Sequence, residues 1–222
     1  MRFAARLVAL IAVAIALPVV GVAAGGRFGG LAGSALSGLG VFWLWLWLPR
    51  SAHRAFETGT YDRAARRYRL LGALATSAAR ERASLLSRAG CHVAAGDVTA
   101  ADALLDRLDG NALSPAERAV WLNNRACGRL AANEPAAALA LVEEASALRP
   151  DVPAVQHTRG LALLSVGRVD DAITVLDGMR AGGELPDHLE AERCRDLAKA
   201  WTQKGHTAYA DDYRIRAEAL AR

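Results

Sequence analysis

The chain has 222 residues, of which 53% are hydrophobic and 23% are charged, and it carries a net charge of +4. The positive excess lies in residues 1–50, which contain four arginines and no acidic residue, since the first acid is Glu57. A protein that binds nucleic acid concentrates Lys and Arg on a folded face. This distribution of charge therefore argues against a nucleic-acid partner.

Two uncharged apolar segments, residues 7–24 and 31–48, each have about the length of a helix that crosses a bilayer. Only six residues, Gly25 to Gly30, separate them, so two such helices must run antiparallel and touch. Small residues spaced four apart, among them Gly21, Gly33 and Ser37, allow close helix–helix association in lipid. We therefore expect a transmembrane helical hairpin over residues 1–48.

A cleaved signal peptide is the alternative for the first segment. Arg2 and Arg6 precede an apolar core that is followed by small residues at 22–24, as in a signal sequence. If the second segment spans the membrane, both alternatives leave the chain after residue 48 on the cytoplasmic side. The basic flanks, with Arg50 and Arg54 after the second segment, agree with this orientation. The expected location is the inner (cytoplasmic) membrane, multi-pass, with the following domain in the cytoplasm.

Three alternating tryptophans, Trp43, Trp45 and Trp47, end the second segment just before Pro49 and Arg50. On a helix, Trp43 and Trp47 share one face and Trp45 points roughly the opposite way, all within about 6 Å of depth. Tryptophan is enriched at lipid headgroups. We predict that these rings and Arg50 mark the membrane interface, where Pro49 breaks or restarts the helix.

From residue 49 onward, the sequence repeats a turn followed by an alanine. Gly and Asn, which end helices in the left-handed conformation, begin the turns at Gly59, Gly96, Asn133, Gly167 and Gly205. The alanines at 64, 101, 138, 172 and 210 are 37, 37, 34 and 38 residues apart. Seven residues before each turn stands a small side chain: Ala52, Ala89, Ala126, Gly160 and Ala198. Small residues allow helices to cross closely, so the pattern predicts an all-α domain.

This pattern resembles the tetratricopeptide repeat (TPR), a helix-turn-helix unit of about 34 residues. The resemblance covers roughly residues 50–222. It is strongest in the third unit, in Leu122, Ala126, Asn133, Ala138, Val142, Ala145 and Pro150, and in the fourth, in Gly160, Gly167, Ala172 and Leu176. It implies a solenoid of about five helix-turn-helix units, whose first helices line a concave groove that binds a protein or peptide.

The same resemblance implies the groove-facing residues, namely Asn123, Asn124, Cys127, His157, Leu161, Arg195 and Lys199, with Leu86 and Gly90 in an earlier unit. Amide side chains such as those of Asn123 and Asn124 can bind the backbone of an extended peptide, although capping or solvent exposure is an equally good explanation. Arg195 and Lys199 suit an acidic partner, or they pair with Glu192 and Asp196 on their own helix.

The sequence contains no phosphate-binding loop, no histidines at metal-ligand spacing and no Cys-x-x-Cys motif. We therefore expect no catalytic activity, cofactor or metal site. Two functional hypotheses remain. The first is a membrane-anchored scaffold or adaptor. The second is an accessory subunit of an envelope-assembly or transport complex, in which the hairpin packs on other membrane subunits.

Overall fold

The computed structural model describes residues 2–220, and the regular structure in this range is helical throughout, as predicted. The α-helices are α1 (Arg2–Phe42), α2 (Leu48–Glu57), α3 (Tyr61–Ala73), α4 (Ala78–Ala94), α5 (Val98–Leu105), α6 (Pro115–Ala131), α7 (Pro135–Leu148), α8 (Pro153–Ser165), α9 (Val169–Gly178), α10 (Asp187–Gln203) and α11 (Thr207–Leu220). A π-helical turn, Trp43–Trp47, joins α1 to α2, and two short 3-10 helices follow α5 and α9.

α1 consists of two helical halves joined at a kink, so the helices predicted at 7–24 and 31–48 are separated by two non-helical residues and not by a six-residue turn. The backbone leaves the helical region only at Gly25 (φ −143°, ψ 24°) and Gly26 (φ 57°, ψ −144°). The positive φ of Gly26 favours glycine because a Cβ atom would clash with the backbone. The predicted loop is therefore corrected to a two-residue kink within a long N-terminal helix.

The two halves of α1 lie against each other across this kink. The Ser37 hydroxyl donates a 2.9 Å hydrogen bond to the carbonyl oxygen of Ala14, although a straight helix would separate these residues by about 35 Å. A Cβ atom at Gly21 would overlap the backbone of Gly29, and a Cβ at Gly33 would overlap the carbonyl group of the residue before Pro18. Glycine is thus required where the backbones meet.

Large apolar side chains cover the outside of α1. Val8, Val20, Phe28 and Leu31 are more than 60% exposed, and exposed apolar surface of this extent marks a membrane or protein contact. By length and composition, the helical stretch Arg2–Glu57 could cross a membrane, a test that a signal sequence also passes.

The tryptophans lie in the π-helical turn Trp43–Trp47, where the N–H of Leu48 donates to the carbonyl oxygen of Trp43. Trp43 and Trp47 stack with ring centroids 6.0 Å apart, so they share a face as predicted. Pro49 lies in the first turn of α2. A proline ring clashes with the carbonyl four residues earlier, and the wider π turn relieves that clash. The helical path therefore continues past Pro49 with a new α-helix that begins at Leu48, so the predicted restart is found and the predicted break is not.

Each predicted turn joins two helices within residues 48–220. Gly59, Gly96, Gly167 and Gly205 have φ between 71° and 81°, and Asn133 has φ of 60°. Asn is among the few other residues that tolerate this left-handed conformation. The turn chemistry predicted from the sequence is therefore confirmed.

Small residues at the repeat positions are buried in all five helix pairs, and the helices pack on each other in four of them, α2 on α3, α6 on α7, α8 on α9 and α10 on α11. The five repeat alanines are at most 1% exposed, as are Ala52, Ala89 and Ala126. Gly160 shows why: a Cβ atom there would lie 2.6 Å from Cδ2 of the buried Leu176. Arg214 occupies the position of Leu176 in the last pair, and it is exposed and hydrogen-bonded to Thr202 at 3.0 Å.

The chain forms two compact units, the first ending at Ala95 and the second beginning at Gly96. The first contains α1 to α4, and in it α2 packs on α3 and α3 on α4. The second contains α5 to α11, in which α6 packs on α7, α8 on α9 and α10 on α11. The predicted boundary at residue 48 thus lies inside the first compact unit.

Candidate protein-binding site

The first helices of three successive pairs, α6, α8 and α10, lie side by side in the second unit. α6 begins at a capping box in which Ser114 and Glu117 bond each other's backbone N–H groups. Counted from the small residue of each helix, the predicted groove residues fall at equivalent positions: Asn123, His157 and Arg195 three residues before it, and Cys127, Leu161 and Lys199 one residue after it. We call this surface the candidate binding face.

A buried side-chain hydrogen bond joins α8 to α10 on this face. His157 Nε2 lies 2.9 Å from Asp196 Oδ2, and its Nδ1 lies 3.9 Å from Glu192 Oε2. The Asp196 side chain is only 6% exposed and also accepts a 2.7 Å hydrogen bond from Lys199 Nζ. Lys199 therefore pairs on its own helix, as the alternative interpretation expected.

Two opposing effects act on the pKa of Asp196. Burial alone raises it, but hydrogen bonds from His157 and Lys199 outweigh burial, so the pKa lies below its ordinary value. Asp196 is therefore ionised at neutral pH, and it holds Lys199 in place. The Lys199 side chain is itself 65% exposed, and an ammonium group has three donors, which leaves donors for a partner.

Cys127 belongs to the contact between α6 and α8. Its Sγ lies 3.4 Å from Thr158 Oγ1, and the Thr158 hydroxyl donates to the carbonyl oxygen of Ala154. Burial raises the pKa of the Cys127 thiol, so the thiol stays protonated at neutral pH and is a poor nucleophile. The geometry gives Cys127 a packing role.

The two predicted amides differ in their surroundings. Asn124 is 8% exposed and has a polar interaction within the chain. Asn123 is half-buried, and its Oδ1 atom is buried without a hydrogen-bond partner among the described residues. An unpaired buried acceptor costs about 1–3 kcal/mol. Asn123 is therefore the amide with unused hydrogen-bonding capacity.

Arg195 is exposed and makes no ion pair with any acid in the part of the chain that the structure describes. Leu161 on α8 is half-exposed, and it stands at the same repeat position as Cys127 on α6 and Lys199 on α10. The candidate binding face thus has an unpaired amide oxygen on Asn123, a half-exposed apolar side chain, Leu161, and two exposed cations, Arg195 and Lys199.

The sequence interpretation missed that Thr158 and Asp196 join neighbouring helices. Both stand two residues before the small residue of their helices, as does the buried Asn124. A polar residue recurring at a buried position is the signal that was available, because buried polar groups need hydrogen-bond partners. Leu86 and Gly90 lie on α4 in the first compact unit.

The paired helices, left-handed turns and small crossing residues define a helical-repeat protein with a TPR-like fold. Solved structures that resemble it include a Podosopora anserina protein described as a putative kinesin light chain with nearly identical TPR-like repeats. That structure has a TM-score of 0.51 and 20% identity, with 78% of this chain and 93% of that chain covered. A point variant of the same protein has a TM-score of 0.52 and 20% identity, with 78% of this chain and 92% of that chain covered.

A crystal structure of MamA aligns with a TM-score of 0.47 and 20% identity, covering 77% of this chain and 94% of that chain. No family model matches the sequence. No curated protein matches it either.

Proposed function

We propose that this chain is a membrane-anchored TPR-like scaffold or adaptor that binds a partner protein or peptide through the candidate binding face. The main support for this proposal is that the Oδ1 atom of Asn123 is buried and has no hydrogen-bond partner among the described residues. Asn123 on α6 stands at the same repeat position as Arg195 on α10. A partner reaches this acceptor when the half-buried amide of Asn123 rotates outward, and a donor supplied there then removes the cost of the unpaired acceptor.

The chemistry of the face favours an extended acidic peptide. A backbone N–H of such a peptide can donate to Asn123, and an apolar side chain can pack on Leu161. A carboxylate can bind Arg195 and the free donors of Lys199 through charge-assisted hydrogen bonds. The intrahelical pair with Asp196 keeps Lys199 in position for that contact.

The membrane part of the proposal places α1 in the inner membrane as a two-span hairpin, with the helical repeats in the cytoplasm. Arg2 forms a 2.7 Å ion pair with Glu81, and Arg6 donates to the carbonyl oxygen of Ala75. The beginning of α1 therefore lies near the repeat helices of its own compact unit, at the same end as Arg50. Basic residues at both cytoplasmic ends agree with the positive-inside rule.

Photo-crosslinking in whole cells tests the candidate binding face. A photoreactive amino acid at Asn123, Leu161 or Arg195 should crosslink to one common partner, because these positions share a face. The control is Thr174, which is exposed on α9. Arg195→Glu combined with Lys199→Glu should abolish the crosslink from position 161. Equal crosslinking from Thr174, or an unchanged crosslink in the charge-reversed variant, would contradict the proposal.

The second candidate function is an accessory subunit whose hairpin packs on other membrane subunits. Its support is that a Cβ atom at Gly38 or Gly40 would meet nothing within 4 Å, whereas one at Gly21 or Gly33 would meet the backbone of the other half of α1. Gly38→Leu should then leave the hairpin intact but release the chain from a larger complex on blue native electrophoresis. A complex of unchanged size would favour the simple anchor.

A further inference from the structure

A groove of about 590 Å³ lies beside the π-helical turn and between α2 and α3. Four arginines line it, Arg50, Arg54, Arg63 and Arg67, and we call it the arginine groove. Its other end is apolar, and none of the described residues that line it is acidic. The groove therefore gathers four positive charges without a carboxylate to balance them.

Two of the arginines are oriented by backbone groups. Arg67 donates a 2.6 Å hydrogen bond to the carbonyl oxygen of Ser51, and Arg50 donates a 3.1 Å bond to that of Leu46. A guanidinium group has five N–H donors, so each keeps donors for a ligand. Arg54 and Arg63 are exposed and pair with no acid among residues 2–220.

Arg63 and Arg67 bring like charges close together in the groove. The pKa of Arg67 lies below its ordinary value, first because of desolvation and then because of the nearby positive charge of Arg63. A bound anion would relieve this repulsion, and guanidinium groups bind phosphate oxygens in paired, charge-assisted hydrogen bonds.

The apolar end of the groove limits which kinds of anion would fit it. Phe42, Leu46 and Trp47 line this end, and all three are at least 40% exposed. The Arg67 guanidinium lies 5.4 Å from the centre of the Trp47 ring, at the junction of the charged and apolar ends. A ligand that fits both ends carries an anionic head and a hydrocarbon chain.

We propose that the arginine groove binds the phosphate headgroup of an anionic phospholipid, with an acyl chain lying along Phe42 and Leu46. The proposal rests on the membrane anchoring proposed above, because that anchoring places the groove at headgroup depth. Anionic lipid would then hold α2 and α3 against the bilayer surface. Basic clusters next to a membrane helix bind anionic headgroups in this way.

The full chain, reconstituted into nanodiscs with equal amounts of phosphatidylglycerol and phosphatidylcholine, provides the test. Native mass spectrometry counts the lipids that each protein retains. The wild-type chain should retain phosphatidylglycerol in about tenfold preference, and Arg54→Gln with Arg63→Gln should bring the preference close to one. Arg54→Lys with Arg63→Lys should retain part of the preference, which separates loss of charge from loss of folding.

The charge-matched control is Arg69→Gln with Arg107→Gln, two exposed arginines outside the groove. This control should stay within about threefold of wild type. An equal loss in the control would overturn the site in favour of general surface attraction. Displacement of the lipid by millimolar inorganic phosphate would overturn the acyl-chain contact.

Different results would overturn the lipid site and the membrane anchor. A chain that enters nanodiscs but shows no preference for phosphatidylglycerol overturns the lipid site and leaves the membrane anchor standing. A chain that stays soluble without detergent and does not enter nanodiscs overturns both.

Discussion

α1 and the helix pairs that follow it both pack through small residues, but they use them differently. In α1 an added Cβ at Gly21 or Gly33 meets backbone atoms, whereas at Gly160 it meets the side chain of Leu176. The outside of α1 is apolar and exposed, whereas the repeats bury their apolar side chains between helices.

The difference follows from the surroundings that each region is suited to. In lipid there is no hydrophobic gain from helix association, so close contact of backbones has to hold two helices together. In water the burial of Leu163, Leu176 and Leu197 provides the main driving force. The contrast supports the proposal that α1 is a membrane hairpin and that the repeats fold in an aqueous compartment.

The largest effect is expected from breaking the backbone contact in α1. Gly33→Leu places a side chain where the backbone before Pro18 lies, and overpacking that the backbone cannot relieve costs about 3 kcal/mol. Cysteines introduced by Ala14→Cys and Ser37→Cys should form a disulfide in the parent chain, and Gly33→Leu should abolish it.

Gly38→Leu is the matched control for this crosslink, since a Cβ at Gly38 meets nothing within 4 Å. The control should crosslink like the parent. Crosslinking of Gly33→Leu at the parental rate would show that the two halves of α1 do not depend on close backbone contact.

A smaller effect is expected where side chains join the repeats. Asp196→Asn removes the charged acceptor of both His157 and Lys199 and should reduce the free energy of unfolding by about 2 kcal/mol at neutral pH. Guanidinium-induced unfolding followed by circular dichroism measures this difference. Asp211→Asn, which removes an exposed ion pair with Arg214, should cost less than about 1 kcal/mol.

The effect of Asp196 also has a defined pH dependence. Its pKa is lower in the folded state than the ordinary value of 3.8, so its stabilisation is fully present above the unfolded pKa. That stabilisation is lost as the pH falls through the lowered folded pKa. The difference in unfolding free energy between wild type and Asp196→Asn should therefore shrink below about pH 4. A difference that stayed constant from neutral pH to about pH 3 would contradict the stabilising contacts of the Asp196 carboxylate with His157 and Lys199.

The smallest effect is expected at the helix crossing of the fourth pair. Gly160→Ala gains helix propensity of about 1 kcal/mol but forces the buried Leu176 to move, which costs about 1–3 kcal/mol. The net result should be a loss of about 1 kcal/mol of stability. Gly178→Ala, where the added Cβ meets nothing within 4 Å, should be neutral or stabilising in the same assay. The reverse order of the two variants would contradict the crossing geometry.

The repeat fold could be predicted from the sequence because its signals are local. A left-handed turn needs Gly or Asn, and a close crossing needs Ala or Gly, so each turn and its alanine reveal a helix pair without knowledge of the rest. The positions of Asn133 and Ala138 within the third pair follow from these two requirements alone.

The remaining features depend on contacts that distant parts of the chain make. The glycines at 25–30 predict a loop because Gly weakens helices in water, but the backbone leaves the helical region only at Gly25 and Gly26, and Gly29 lies against the backbone of Gly21. The hydrogen bond between His157 and Asp196 depends on how α8 and α10 stack, which neither helix encodes alone. The unpaired Oδ1 of Asn123 is likewise a property of the packed site.

Membrane topology tests the central claim most directly. A fluorescent protein that folds only in the cytoplasm and an alkaline phosphatase that is active only in the periplasm can each be fused after residue 222 or inserted at Gly26. The account predicts fluorescence without phosphatase activity after residue 222, and phosphatase activity without fluorescence at Gly26. Phosphatase activity after residue 222 would contradict the cytoplasmic repeat domain, and fluorescence at both positions would contradict the transmembrane hairpin.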